Sequence, residues 1–186
     1  AEFICMPGHK GLYGPQGTGL LLCARSPETL IQGGTGSHSL SPEMPQYLPD
    51  RLEAGTHNMP GIAGLKAGLE FVLKKGSKSI LSHERELIDF AAGELIKLDG
   101  VRVFRSDYGY CQSGVLSFIV DGIPGETVAE ALAARDIAVR AGLHCAPLAH
   151  KTAGTISTGT VRVSVSCFNS KRDISALISA VRSITH

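Results

Sequence analysis

Gly8-His9-Lys10-Gly11-Leu12-Tyr13-Gly14-Pro15-Gln16-Gly17-Thr18-Gly19 lies between two short apolar runs, Phe3-Ile4-Cys5-Met6 and Leu20-Leu21-Leu22-Cys23. Apolar runs joined by a glycine- and proline-rich turn read as strands, here over 2–7 and 18–24. Lys10 is then expected at the end of a buried strand, on backbone that can approach a ligand closely. Burial disfavours the charged form of an amine and makes it a nucleophile toward carbonyls. The same residues also suit an ordinary surface lysine on a Gly-Pro turn, and this stretch alone does not separate the two readings.

Outward from this turn, the chain has 186 residues, enough for one ordinary domain or a small domain plus part of another. Hydrophobic residues make up 43% and charged residues 19%, a balance that folds rather than stays disordered. The net charge is +1 and no basic run exists, so nucleic-acid binding has no electrostatic footprint. The five cysteines, Cys5, Cys23, Cys111, Cys145 and Cys167, are odd in number and lack CxxC spacing. That argues against a disulfide framework or a structural zinc and for a reducing compartment, the cytoplasm. No apolar run approaches the length of a membrane span, and no signal peptide is apparent. Ala1-Glu2 leads at once into a strand-like run, and a buried strand needs neighbours on both edges. The expectation is therefore the C-terminal part of a longer protein.

Residues 25–50 read as loop, with Gly33-Gly34-Thr35-Gly36-Ser37 followed by Pro42, Pro45 and Pro49. Asn58 is a good N-cap, Pro60 falls in the first turn, and Gly76 suits a C-terminal stop. Ile62, Leu65, Leu69 and Val72 fall at helical spacing between them. A second helix is expected over about 78–98, with Leu81, Leu87, Ile88, Ala91, Leu95 and Ile96 on its apolar side. Beyond Asp99-Gly100 the period shortens. Strands are expected at 101–104, 115–120, 137–139 and 161–166, and a short helix at 125–134. A last helix opens on the capping pair Ser170 and Asp173, with Ile174, Leu177, Ile178 and Val181 on its apolar face. Residues 77–186 thus read as a small α+β domain within an α/β chain, with a mostly antiparallel sheet flanked by helices.

Three further segments carry chemistry. Arg51-Leu52-Glu53-Ala54-Gly55-Thr56-His57-Asn58 stands just before a helix N-terminus, where backbone N–H groups, a hydroxyl and the helix dipole suit a phosphate. Taken alone, Thr56 and Asn58 more often mean helix caps, since most helices have them. Arg140-Ala141-Gly142-Leu143-His144-Cys145-Ala146-Pro147 leads into the Gly/Thr-rich loop 151–160. A thiol there, near Arg140 and His144, suits a partial thiolate, although free cysteines are more often buried and inert. His144, Cys145 and His150 are a weak metal set, and no metal is expected. Arg162 alternates with Val161 and Val163, so it faces away from them. Toward a cleft its planar fork suits a carboxylate; toward solvent it means nothing.

Taken together, these four segments resemble the cysteine desulfurases among the class V aminotransferase-like, fold-type-I pyridoxal phosphate enzymes. The Lys10 turn resembles the cofactor-lysine motif, and Arg51-x-Glu53-x-Gly55-Thr56-x-Asn58 resembles the phosphate segment. Arg140-x-Gly142-x-His144-Cys145-Ala146 resembles the active-cysteine motif. Val161-Arg162-Val163-Ser164 with Phe168-Asn169-Ser170 resembles the C-terminal strand whose arginine binds the substrate carboxylate. The resemblance runs from about residue 3 to the C-terminus, in the family's order. It departs at Pro7, where many desulfurases have a phosphate-binding serine.

The resemblance implies pyridoxal 5'-phosphate held by Lys10 as a Schiff base, with the same amine moving the α-proton. It implies His9 near the cofactor phosphate, and Gly55 and Thr56 reaching the phosphate of the partner subunit's cofactor in a homodimer. Arg162, Arg140 and Asn58 would bind the substrate, L-cysteine. Cys145 would take its sulfur as a persulfide and pass it to an acceptor protein, leaving L-alanine. Residues 1–76 would be the C-terminal part of the large cofactor-binding domain, and 77–186 the small domain. The family's pyridine-nitrogen aspartate, ring-stacking histidine and glycine/threonine phosphate loop cannot be placed in this chain. Weak cofactor binding and no useful activity are therefore expected of these 186 residues alone. An aminotransferase, a β-lyase or a selenocysteine lyase is the nearest alternative. A non-catalytic dimerisation or sulfur-carrier module is the next.

Overall fold

Apolar runs bounded by glycine turns become strands here, and capped periodic stretches become helices. The structure, a computed structural model, describes residues 1–35, 38–106 and 108–185. The chain divides into two compact units, Ala1–Gly76 and Ser77–His186. Among the described residues no helix is long and apolar enough to cross a membrane.

In the first unit, β1 (Phe3–Pro7) pairs antiparallel with β2 (Gly19–Cys23), Phe3 opposite Cys23 and Pro7 opposite Gly19. The Gly8 N–H extends the ladder to the Thr18 carbonyl at 2.8 Å. A side chain at Gly8 would strike the Thr18 hydroxyl, so only glycine fits. The expected burial of this hairpin is not met within the unit: Ile4, Leu21 and Leu22 are exposed. Two strands share a single ladder, which leaves both outer edges open.

The segment over 25–50, whose Gly36 and Ser37 lie outside the described residues, forms neither strand nor α-helix and ends in a 3-10 turn at Asp50–Leu52. α1 (Met59–Lys75) begins where the Asn58 side-chain oxygen accepts the Gly61 N–H at 3.0 Å. It ends at Gly76, whose φ of 86° lies in the left-handed region and whose N–H reaches the Val72 carbonyl at 2.8 Å. The buried stripe of α1 is Gly61, Leu65 and Gly68, whereas Ile62, expected on the apolar face, is exposed. The reason is close approach. The turn over 12–15 lies directly on the helix backbone: a methyl at Gly68 would strike the Leu12 carbonyl, and one at Gly64 would stand 3.1 Å from the Pro15 ring. Tyr13 stands edge-on to Phe71 at 5.4 Å.

The second unit runs α2 (Ser77–Leu95), β3 (Val101–Phe104), β4 (Val115–Val120), α3 (Gly125–Ala133), β5 (Arg140–Gly142), α4 (Pro147–Thr152), β6 (Thr160–Ser164) and α5 (Lys171–Thr185). The sheet order is β3-β4-β6-β5 and every pair is antiparallel. Alternation sends Leu116, Phe118 and Val120 of β4 and Val161 and Val163 of β6 into one core with α2, α3 and α5. Each fully buried side chain of this kind contributes roughly 1.5–3 kcal/mol. The face of α5 is Ile174, Leu177, Ile178 and Val181, all buried, and the Ser170 N–H is taken by Asp173 Oδ2 at 2.8 Å.

Three expected boundaries move. The strand expected at 137–139 is instead Arg140–Gly142, because only there does the backbone run opposite β6; Ile137 and Val139 pack on the core without a ladder. β6 stops at Ser164, and the next N–H, of Val165, turns to the Gly114 carbonyl at 2.8 Å. α2 stops at Leu95, which leaves Ile96 exposed, while Ile80 and Ala92 join the buried side.

Candidate active site

The sequence candidates fall into two clusters, one in each unit. In the second unit the sheet face opposite the helices carries a cross-strand row. Phe104 is opposite Ser117, Ser117 opposite Arg162, and Arg162 opposite Arg140. Directly opposed residues share a face, so Arg162, which the sequence left between cleft and solvent, stands beside Arg140. Arg162 is half-buried, and its Nε is enclosed with no hydrogen-bond partner. Such a donor calls for an acceptor, and two adjacent guanidiniums suit a carboxylate.

The segment after β5 folds over the neighbouring part of this row. α4 and the turn behind it form a small cleft with Phe104, Ser117 and Thr160. His150 and Thr155 are both buried there, joined through Nδ1 and Oγ1 at 2.8 Å, and the Thr155 N–H returns to the His150 carbonyl at 2.8 Å. The loop over 151–160 is thus pinned by its own polar pair. The threonine-rich sequence carries no signal that Thr155 is the buried one.

His144 Nε2 lies 3.0 Å from the Thr160 carbonyl and 3.2 Å from its hydroxyl. A carbonyl only accepts, so Nε2 carries the hydrogen and Nδ1 is a bare acceptor. That Nδ1 is enclosed and without a partner. Burial holds the His144 pKa below its ordinary value against the raising effect of the Thr160 bond, and the positive charges of Arg162, His150 and Arg140 push the same way as burial. His144 and Cys145 both have left-handed backbone, with φ of 53° and 59°. Consecutive non-glycine residues there store strain of about 1–3 kcal/mol each. The turn presents Cys145 as an exposed residue just before α4. His144 and His150 lie 5.8 Å apart ring to ring, and among the described residues no group of His, Cys, Asp or Glu could hold a metal ion.

In the first unit, His9 and Lys10 are exposed on the turn after β1, not desolvated as the strand reading expected. The turn itself is closed by Gly14 N–H to the Gly8 carbonyl at 2.8 Å and Tyr13 N–H to the Lys10 carbonyl at 3.0 Å. The segment at 51–58 divides its labour. Arg51 ties the preceding loop together, donating to the Pro27 carbonyl at 3.0 Å, Gln46 Oε1 at 2.6 Å and Glu28 Oε2 at 3.0 Å. Gly55 has φ of 83° and spends its N–H on the Gly33 carbonyl at 3.2 Å. Gly34 packs against it, since a methyl there would meet Gly55 Cα at 2.7 Å. Gly55, Thr56 and His57 line one side of an open cleft. Asn58 caps α1 through Oδ1, leaving its amide NH2 as the group for other work. An exposed primary amine and the Thr56 hydroxyl just before a helix fit the aldehyde and phosphate of pyridoxal 5'-phosphate in their donor chemistry.

The family model described as aminotransferase class-V matches residues 1–177. Over 97% of its length the chain is 38% identical to cysteine desulfurase CsdA of Escherichia coli (strain K12), and it covers 45% of that protein. Over 99% of its length it is 36% identical to probable cysteine desulfurase 1 of Mycobacterium leprae (strain TN), covering 30% of it. Among solved structures, the apo cysteine desulfurase from Thermococcus onnurineus NA1 superposes with a TM-score of 0.87 at 30% identity, over 100% of this chain and 47% of that one. The CsdA crystal structure gives 0.81 at 33% identity, over 98% of this chain and 45% of that one. The chain therefore spans less than half the length of these relatives.

Proposed function

We propose that this chain, which belongs to the aminotransferase class-V family, carries the cofactor-lysine and sulfur-accepting part of a cysteine desulfurase that converts L-cysteine to L-alanine. The observation that carries this reading is the paired arginines Arg140 and Arg162 on one sheet face, with exposed Cys145 on the turn that follows β5. A carboxylate-holding pair beside a thiol nucleophile is what the removal of sulfur from an amino acid requires.

Pyridoxal 5'-phosphate, when bound, supplies the electron sink for the reaction. Lys10 would hold it covalently and carry the α-proton, and His9 would lie near its phosphate. Gly55 and Thr56 would reach the phosphate of the cofactor in a second subunit of a homodimer. Arg162 and Arg140 would fix the substrate carboxylate, and Asn58 would bind the substrate. Cys145 Sγ would take the substrate sulfur: the carbon–sulfur bond of cysteine breaks with its electron pair left on the β-carbon, which gains a proton to give L-alanine, a sulfur–sulfur bond forms on Cys145, and the outer sulfur is handed to an acceptor protein. In this reading residues 1–76 belong to the large cofactor-binding domain, residues 77–186 are the small domain, and the protein works in the cytoplasm. The 186 residues alone would show little activity, because the resemblance assigns the contacts to the cofactor ring to residues outside them.

The test is mass spectrometry on a polypeptide extended to the length of its relatives. Borohydride reduction should fix the cofactor on Lys10, and L-cysteine should add one sulfur to Cys145. Cofactor on another lysine, or sulfur on another cysteine, overturns the assignment. Cys145→Ala should abolish persulfide formation. Undiminished release of sulfide by that variant would point instead to a lyase of the same family.

A further inference from the structure

Among the described residues two buried side-chain polar atoms lack hydrogen-bond partners, His144 Nδ1 and Arg162 Nε, and they are complementary in kind: one is an acceptor, the other a donor. Both belong to one cationic cluster. The charged and titratable groups acting on His144 are Arg140 from β5, Arg162 from β6 and His150 from α4, and no carboxylate is among them. The two arginines are permanent cations, so the cluster repels a proton from His144 for as long as it is unliganded.

We infer that His144 is a proton acceptor coupled to carboxylate binding: an anion seated against Arg140 and Arg162 lets Nδ1 take a proton from solvent, and the imidazolium so formed stands one residue from Cys145. The inference rests on the carboxylate role proposed above for the two arginines. Its physical basis is charge. One carboxylate cancels about one of the two neighbouring positive charges, which removes the electrostatic part of the objection to a third; burial, the larger part, stays the same in both states. The Nε2–H bond to Thr160 persists in both states, so protonation at Nδ1 needs no rotation of the ring. Thiols act as thiolates, which a nearby cation stabilises, so the charge appears when a substrate is present to use it. His144 acts through charge on its neighbours and is a positioning residue in this scheme.

The experiment is an NMR pH titration of the imidazole resonances of the full 186-residue chain, without cofactor, in acetate and in chloride of equal ionic strength. The His144 signal is assigned by its loss in His144→Asn, a replacement that tolerates left-handed backbone. Arginine Nε–H resonances report independently whether acetate binds. Acetate should shift the Arg162 Nε–H and raise the His144 midpoint by about half a pH unit or more. In Arg162→Gln the midpoint should already be higher in chloride and should no longer respond to acetate. An Arg162 Nε–H that shifts with acetate while the His144 midpoint stays put overturns the coupling and leaves the carboxylate site standing. Arginine resonances that ignore acetate overturn the carboxylate site, and the coupling with it.

Discussion

Arg140 and Arg162 stand directly opposite one another on the adjacent antiparallel strands β5 and β6. Like charges in that position are destabilising, by a few tenths to about 1 kcal/mol. On the carboxylate-binding role proposed above, the fold keeps them there at the expense of its own stability.

Relief of that repulsion is measurable. Arg140→Gln should raise the stability of the chain by about 0.5 kcal/mol in urea denaturation at low salt, and the gain should shrink as salt is added. The parent should show an acetate-dependent rise in melting temperature, and the same variant should lose most of it.

The turn that carries Lys10 depends on a helix backbone without side chains. Gly68→Ala should force the Leu12 carbonyl off α1 and destabilise the first unit by about 1–3 kcal/mol. Gly64→Ala, where the nearest atom is the Pro15 ring at 3.1 Å, should cost less than Gly68→Ala. Hydrogen exchange of the α1 amides separates the two, and equal protection in both variants would contradict this packing.

The loop after Cys145 should loosen when its buried polar pair is broken. Thr155→Val keeps the volume but leaves His150 Nδ1 without its 2.8 Å partner. The expected loss is about 1–3 kcal/mol, with proteolysis appearing first between 146 and 160. Wild-type resistance there would mean that the pair does not pin the loop.

Acid should weaken the second unit through His144. Its pKa in the folded chain is below the ordinary 6.5, so well above that pH both folded and unfolded states are uncharged and it contributes nothing. As the pH falls through 6.5 the unfolded state gains the proton and the folded state does not, so stability drops until the folded residue also protonates. His144→Asn lacks this loss. The stability of the variant relative to wild type should therefore rise as the pH is lowered from 7 to 5, read from melting curves at matched ionic strength.

Much of this was legible from local pattern. The Asn58 cap, the Gly76 stop, the Ser170–Asp173 start and the apolar face of α5 each depend on residues within a turn or two of one another. The four motif segments are likewise contiguous, and their order along the chain carries the resemblance. Helix positions went astray where a glycine surface, rather than an apolar one, makes the contact: spacing points to Ile62, while the 12–15 turn sits on Gly64 and Gly68.

The sequence by itself named the residues proposed above to bear chemistry, because side-chain type and spacing are written locally. Only the tertiary structure decided that Arg162 faces Arg140 rather than solvent, that β5 begins at Arg140, and that His144 turns a bare nitrogen inward. Each of those follows from strand register or from hydrogen bonds between residues distant in the chain. Register is set by the sum of pairings across the whole sheet, and no short stretch contains that sum.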